Sequence, residues 1–213
     1  MTVTSDEHTL SVQYLAPEDI STAASLIYQA YHDDPLLQDL LGYEQANKTA
    51  YEKKLRSLIR EELSAFWQEK LPLIGLYRDE KLKAVACVFE SSSQLQPERY
   101  WHWRLKLMLS AGYLQTNQLI EKEQTIRNSL NELGDYYYLA FIAVDPHVQG
   151  EGLGRYLLRG LNDLATGTSN AKGLAVFVTR EQHSRFFKSE GFDAFKQLTF
   201  NKVSGELLFK PYS

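Results

Sequence analysis

The chain has 213 residues, 44% hydrophobic and 23% charged, with a formal net charge of −4 at pH 7. That length allows one sizeable core, which predicts a single domain over 1–213. Charge runs such as Glu52-Lys53-Lys54 and Arg60-Glu61-Glu62 mix their signs, which argues against a nucleic-acid surface. Cys87 is the single cysteine, no Cys/His cluster has metal-ligand spacing, and no apolar run approaches the ~20 residues that span a membrane. The first ten residues, MTVTSDEHTL, lack the basic start and apolar core of a secretory leader, so a soluble cytoplasmic protein is expected.

In chain order, alternation predicts a strand over 10–14, and Pro17-Glu18-Asp19 opens a helix with a first-position proline and early acids. Ile20, Ala23, Ala24, Ile27 and Tyr31 form its buried face. Pro35 disfavours helical geometry before it, so this helix is expected to stop at His32-Asp33-Asp34. A second helix is predicted over 49–67, with Tyr51, Leu55, Leu58, Ile59 and Leu63 inward. The stretch between the two reads as an acceptor-site loop, and its acidic start could equally be a solvated helix end. Strands over 71–77 and 82–89 are joined by Arg78-Asp79-Glu80-Lys81 as a hairpin. Ser91-Ser92-Ser93-Gln94 reads as loop. Pro97 restarts a helix carrying Tyr100, Trp101, Trp103, Leu105 and Met108, and 120–133 supplies another amphipathic segment. The aromatic helix is either ordinary core or one wall of an acceptor pocket.

The most informative segment runs from 136 to 158. Residues 136–144 are apolar on both alternating faces, as in a strand covered on both sides, and Asp145-Pro146 ends it. Leu153, Leu157, Leu158, Leu161 and Leu164 then recur at helical spacing. The intervening glycines stand where a helix presents unpaired N–H groups and its positive dipole end, which suits a pyrophosphate. The spacing is not a dinucleotide fingerprint, since Arg155 stands three residues after Gly152, and no Gly-Lys-Ser/Thr exists for a triphosphate loop.

Gln149-Gly150-Glu151-Gly152-Leu153-Gly154 resembles the Q/R-x-x-G-x-G/A turn of the GNAT superfamily of acyl-CoA-dependent N-acyltransferases. Residues 138–149, YLAFIAVDPHVQ, are most similar to the puromycin N-acetyltransferase-like branch. Downstream, a strand over 174–178, a helix over 181–189 and Glu190-Gly191-Phe192 match in order, while the N-terminal half matches in layout alone. The resemblance implies an α/β (α+β) fold: a mixed, largely antiparallel sheet splayed at the cofactor strand, with helices on both faces. The acceptor side would occupy about 1–134 and the acyl-CoA side about 135–213. It implies acetyl-CoA (coenzyme A) as cofactor, with pantetheine along Ile142, Ala143 and Val144 and pyrophosphate on Gln149, Gly150, Glu151, Gly152, Leu153, Gly154 and Arg155. The implied reaction is direct attack of a small-molecule primary amine on the thioester, with a protein amine as the alternative acceptor.

Such a reaction needs an oxyanion donor, a route for the ammonium proton and a donor to the leaving thiolate. The family's proton-donating tyrosine is replaced here by Phe187, and Ala140 and Phe141 stand where relatives carry a strand glutamate. Substitute catalytic candidates are Glu90 at the end of a hairpin strand, Tyr138 on the cofactor strand and His183, whose ordinary pKa of ~6.5 suits acid or base work. The same two losses keep open a catalytically inactive acyl-CoA-binding protein. A monomer and a homodimer paired through its sheets are both compatible with the sequence, and no metal site is expected.

Overall fold

A computed structural model describes residues 2–5, 8–91, 97–165 and 170–212. Among these residues eight strands form one sheet: β1 (Thr2–Ser5), β2 (His8–Tyr14), β3 (Leu73–Arg78), β4 (Lys81–Glu90), β5 (Tyr137–Val144), β6 (Gly173–Val178), β7 (Asp193–Phe200) and β8 (Val203–Pro211). Their spatial order is β1-β2-β3-β4-β5-β6-β8-β7, and every neighbouring pair is antiparallel except β5 with β6. Among the described residues seven α-helices accompany it: α1 (Ile20–Tyr31), α2 (Pro35–Leu41), α3 (Lys48–Gln68), α4 (Pro97–Ser110), α5 (Tyr113–Leu130), α6 (Leu153–Ala165) and α7 (Glu181–Ser189).

Strand alternation divides the core in two. Val85, Cys87, Phe89, Tyr138 and Ala143 point to the face packed by α1 to α5, beside Ile27, Leu41, Leu55, Leu63 and Leu107. Ile74, Leu76, Ala86, Val88 and Leu139 point the other way, onto Leu153, Leu157, Leu158 and Leu161 of α6 and Phe187 of α7. The amphipathic stripe expected on α6 is thus met. Burying each such leucine is worth ~1.5–3 kcal/mol, so the apolar stripe rather than helix propensity holds α6 in place. Gly160 lets that helix approach the sheet, since a Cβ there would lie 2.7 Å from Val12.

Several expectations are corrected. The segment after His32-Asp33-Asp34 is a helix, α2, because Asp34 caps it by accepting from the Leu36 and Leu37 N–H groups, Pro35 fits its first turn and Gly42 ends it at φ +69°. The second amphipathic segment begins earlier than 120, since α5 starts at Tyr113 after Gly112 breaks it from α4. The β3–β4 connection is a two-residue turn with Asp79 and Glu80 both at positive φ, 50° and 63°, as a twisted hairpin requires. A final hairpin, β7–β8, completes the far edge. Ser92, Ser93 and Gln94 of the expected loop, and the side chains of Tyr100, Trp101 and Leu164, lie outside the described residues. Among the described residues no helix is long and apolar enough to cross a membrane.

Candidate active site

Two irregularities in β5 create the site. Cys87 pairs with Phe141 while the next β4 residue, Val88, pairs with Leu139, so Ala140 is an extra residue forming a β-bulge. On the other side, β5 pairs with β6 only at Tyr137–Leu174, Tyr138–Ala175 and Leu139–Val176. Beyond Leu139 the two strands part, β5 staying with β4 and β6 with β8. The backbone of 140–144 therefore turns an unpaired edge to a cavity of about 1000 Å³. Such an edge must find other partners. The Ile142 N–H donates to the Tyr31 hydroxyl at 3.2 Å, across 111 residues of sequence.

The glycine turn closes the cavity at the C-terminal end of β5. Gly150 and Gly152 adopt φ +85° and +82°, and a Cβ built at either would meet nothing within 4 Å. They are therefore required by backbone conformation, and the space before them is open. The Gln149 side chain donates to the Val144 carbonyl at 3.1 Å, and Asp145 accepts from the His147 N–H and pairs with Lys83 at 2.8 Å. The Lys83 hydrogen bond holds the Asp145 carboxyl below the usual range. Gln149, Gly150, Gly152, Leu153, Gly154 and Arg155 line the cavity. Glu151 turns away to pair with Arg78 at 2.7 Å, and Arg155 is paired with Glu190 at 2.5 Å.

Of the three catalytic candidates, Tyr138 and His183 line the cavity and Glu90 does not. Glu90 pairs in register with Tyr137, not Tyr138, and its carboxylate accepts from the Tyr137 hydroxyl at 2.9 Å, on the α6 side of the sheet. Period-two alternation at the end of β4 put it on the far face. Tyr138 is buried, and desolvation raises its phenol far above the ordinary value, so it is a neutral hydroxyl. His183 is pushed below its usual pKa, first by desolvation and then by Arg180. Phe187 is buried among Phe186 and Phe192 and offers no proton.

The acidic stretch at the end of α1 ties the site together. Asp34 accepts from the Thr179 hydroxyl at 2.8 Å while it caps α2, and Asp33 pairs with Arg180 at 3.0 Å. These contacts bolt α1 and α2 onto the β6–α7 turn. Sequence reasoning placed Tyr31 on a core face, yet its hydroxyl reaches the splayed strand, and burial raises its pKa well above the ordinary phenol range. It also missed Glu62, which lines the cavity from α3. The signal was present: Leu58, Glu62 and Phe66 are each four apart, which places a charge in the middle of an apolar stripe.

A model of the acetyltransferase (GNAT) family matches residues 40–192, most of the chain and all of the splayed strand and glycine turn. The chain belongs to the GNAT family. Among solved structures, the GNAT chain is similar to histone acetyltransferase HPA2 and related acetyltransferase from Corynebacterium glutamicum, with a TM-score of 0.66 and 14% identity over 96% of this chain and 97% of that one. It is similar to a putative arylalkylamine N-acetyltransferase 7 from the yellow fever mosquito, Aedes aegypti, with a TM-score of 0.61 and 13% identity over 95% and 87%. PaiA N-acetyltransferase from Thermoplasma acidophilum, solved with coenzyme A, gives 0.57 and 10% over 95% and 99%. At such identities the likeness shows the fold. No curated protein matches the sequence.

The family's cofactor is acetyl-CoA, and the GNAT site here fits it. The open ground before Gly150 and Gly152 leaves room for phosphates against first-turn N–H groups of α6, and the edge of β5 that has parted from β6 would offer amide-to-amide pairing to an extended arm.

Proposed function

We propose that this chain transfers the acetyl group of acetyl-CoA to the primary amine of a small molecule, with donor and acceptor held together in the one cavity. The observation that carries this reading is the parting of β5 from β6 beneath the glycine turn, which leaves the Ile142 N–H facing a side-chain hydroxyl instead of a neighbouring strand. Bound acetyl-CoA would supply an activated thioester carbonyl. The Ile142 N–H is held in place by the strand, and a thioester oxygen that takes the place of the Tyr31 hydroxyl on it would gain a fixed donor as negative charge grows. The Tyr31 hydroxyl so displaced still carries its own proton and can donate a hydrogen bond to the same oxygen or to the leaving sulfur. Burial keeps that phenol protonated throughout the working pH range.

His183 is held neutral at the cavity wall, where it can relay a proton without adding charge. Cys87 is fully buried, and desolvation raises its thiol, which removes it as a nucleophile and favours direct attack over an acetylated protein. The acceptor end is walled by side chains of α1 to α5, including Leu37, Phe66, Trp103 and Ile126, which favours a small body over a polypeptide segment.

The buried phenyl ring of Phe187 favours a second reading, a protein that binds acyl-CoA without turnover. Free-thiol release from acetyl-CoA with alkylamines, polyamines, aryl-alkylamines and puromycin-like amines separates the two. Amine-dependent release supports the transferase, whereas calorimetric binding of coenzyme A with no release on any amine supports the silent binder.

A further inference from the structure

Glu62 sits on α3 between Leu58 and Phe66, and all three line the cavity. Trp103 of α4 and Lys122 and Glu123 of α5 act electrostatically on its carboxyl. From the sheet, the Cys87 thiol of β4 lies within reach of its charge, and Cys87 pairs with Phe141, the residue after the Ala140 bulge. Glu62 and the residues where β5 opens thus line one cavity. Tyr138 of β5 and Tyr31 of α1 line the same space. Arg127 of α5, also on the cavity wall, is occupied by Glu123 at 2.9 Å and lies 4.3 Å over the Phe89 ring. Lys122 is a cation whose charge acts on Glu62, set against the repulsion of Glu123.

We propose that Glu62 accepts the proton of the acceptor's ammonium, an assignment that rests on acetyl transfer to an amine as the reaction of this cavity. The ammonium N–H bond breaks, both its electrons stay on nitrogen as the attacking lone pair, and the proton goes to a Glu62 oxygen. The carboxylic acid then returns that proton to water in the cavity. The environment is matched to the task, since desolvation and Glu123 push the Glu62 carboxyl up to about 8. An arriving cation favours the carboxylate, which is when a base is needed. The acceptor this defines is an alkylammonium on an apolar body, with the charge toward Glu62 and the body against Phe66, Phe89 and Trp103. This residue takes the place of the strand glutamate that Ala140 and Phe141 displace, reaching the site from a helix on the acceptor side.

The test is Glu62→Gln, which keeps shape and removes the basic oxygen. With an alkylamine, kcat/KM is expected to fall by about 10²-fold or more, the usual share of a general base. Coenzyme A affinity by calorimetry stays at the wild-type value. In the wild type the rate is lost as pH falls through an ionisation near 8, separate from the amine's own near ~10, and the variant lacks the lower step. With a hydrazide, whose nitrogen is neutral at the assay pH, the variant loses less than about 10-fold, a selectivity that a packing defect does not produce. Glu62→Asp keeps the lower ionisation at reduced rate. Wild-type turnover of alkylamine by Glu62→Gln, or equal losses with both acceptors, overturns the assignment while leaving the transferase standing. Absence of amine-dependent turnover in the wild type overturns both.

Discussion

The pyrophosphate placement makes a quantitative prediction at Gly152, through the paired substitutions Gly152→Asp and Gly152→Asn. Both put an L side chain at φ +82°, a left-handed conformation that costs ~1–2 kcal/mol, least for these two residue types. Neither Cβ meets a protein atom within 4 Å, so no clash adds to that cost. A loss of ~1–2 kcal/mol lowers the Tm of a chain this size by about 2–8 °C, and both variants stay folded at 25 °C. They differ only in charge. Unit charges ~4 Å apart at an effective dielectric of ~20 repel by ~4 kcal/mol, and at ~8 Å by ~2 kcal/mol. At ~1.4 kcal/mol per factor of ten, the Asp variant should bind coenzyme A roughly 30-fold to 10³-fold more weakly than the Asn variant. Isothermal calorimetry at low salt reads the difference, and raising the salt should narrow it. Equal affinities in two folded variants would refute the placement of the pyrophosphate against this turn.

Three further outcomes follow from the site. Tyr31→Phe removes the hydroxyl on the Ile142 N–H and should lower kcat by ~10²–10³-fold with coenzyme A affinity kept; an unchanged kcat removes Tyr31 from the chemistry. Glu90→Gln, on the far face, should leave turnover at the wild-type level and cost at most ~1 kcal/mol of stability through its Tyr137 hydrogen bond, as chemical denaturation measures. His183 has a lowered folded pKa, so between that value and ~6.5 the unfolded chain binds more protons. Stability conferred by its neutral form should therefore be present above ~6.5 and decline as pH falls through and below that value, and His183→Gln should flatten this part of the pH–Tm curve.

The acyl-CoA half was legible because its signals are local. A double-faced apolar strand, a stop and a glycine turn before a leucine stripe dictate β5, the turn and α6 without help from distant residues. The same holds for α3 and for the β3–β4 hairpin. Misreading 35–41 as loop came from giving Pro35 weight as a helix breaker and none to Asp34 as a cap, although Asp-Pro followed by Leu36, Leu37, Leu40, Leu41 and Gly42 is a complete short helix. The acceptor side was hidden for a different reason. The face to which Glu90 points depends on its register against Tyr137, and the meeting of Tyr31 with Ile142 depends on how α1 lies across the sheet. Glu62 was visible as a charge in an apolar stripe. What the stripe could not show is that the space above it stays open as a cavity instead of closing into core.

The central claim is that one cavity holds acyl donor and amine together and passes the acetyl group directly between them. Initial rates of thiol release, measured while acetyl-CoA and an accepted amine are varied against each other, test this most directly. The account predicts double-reciprocal lines that intersect, the pattern of a ternary complex, with no acetyl group on the protein in mass spectra taken during turnover. Parallel lines together with an acetylated protein would contradict it, because they require a covalent carrier that the buried Cys87 and the geometry at Ile142 do not provide.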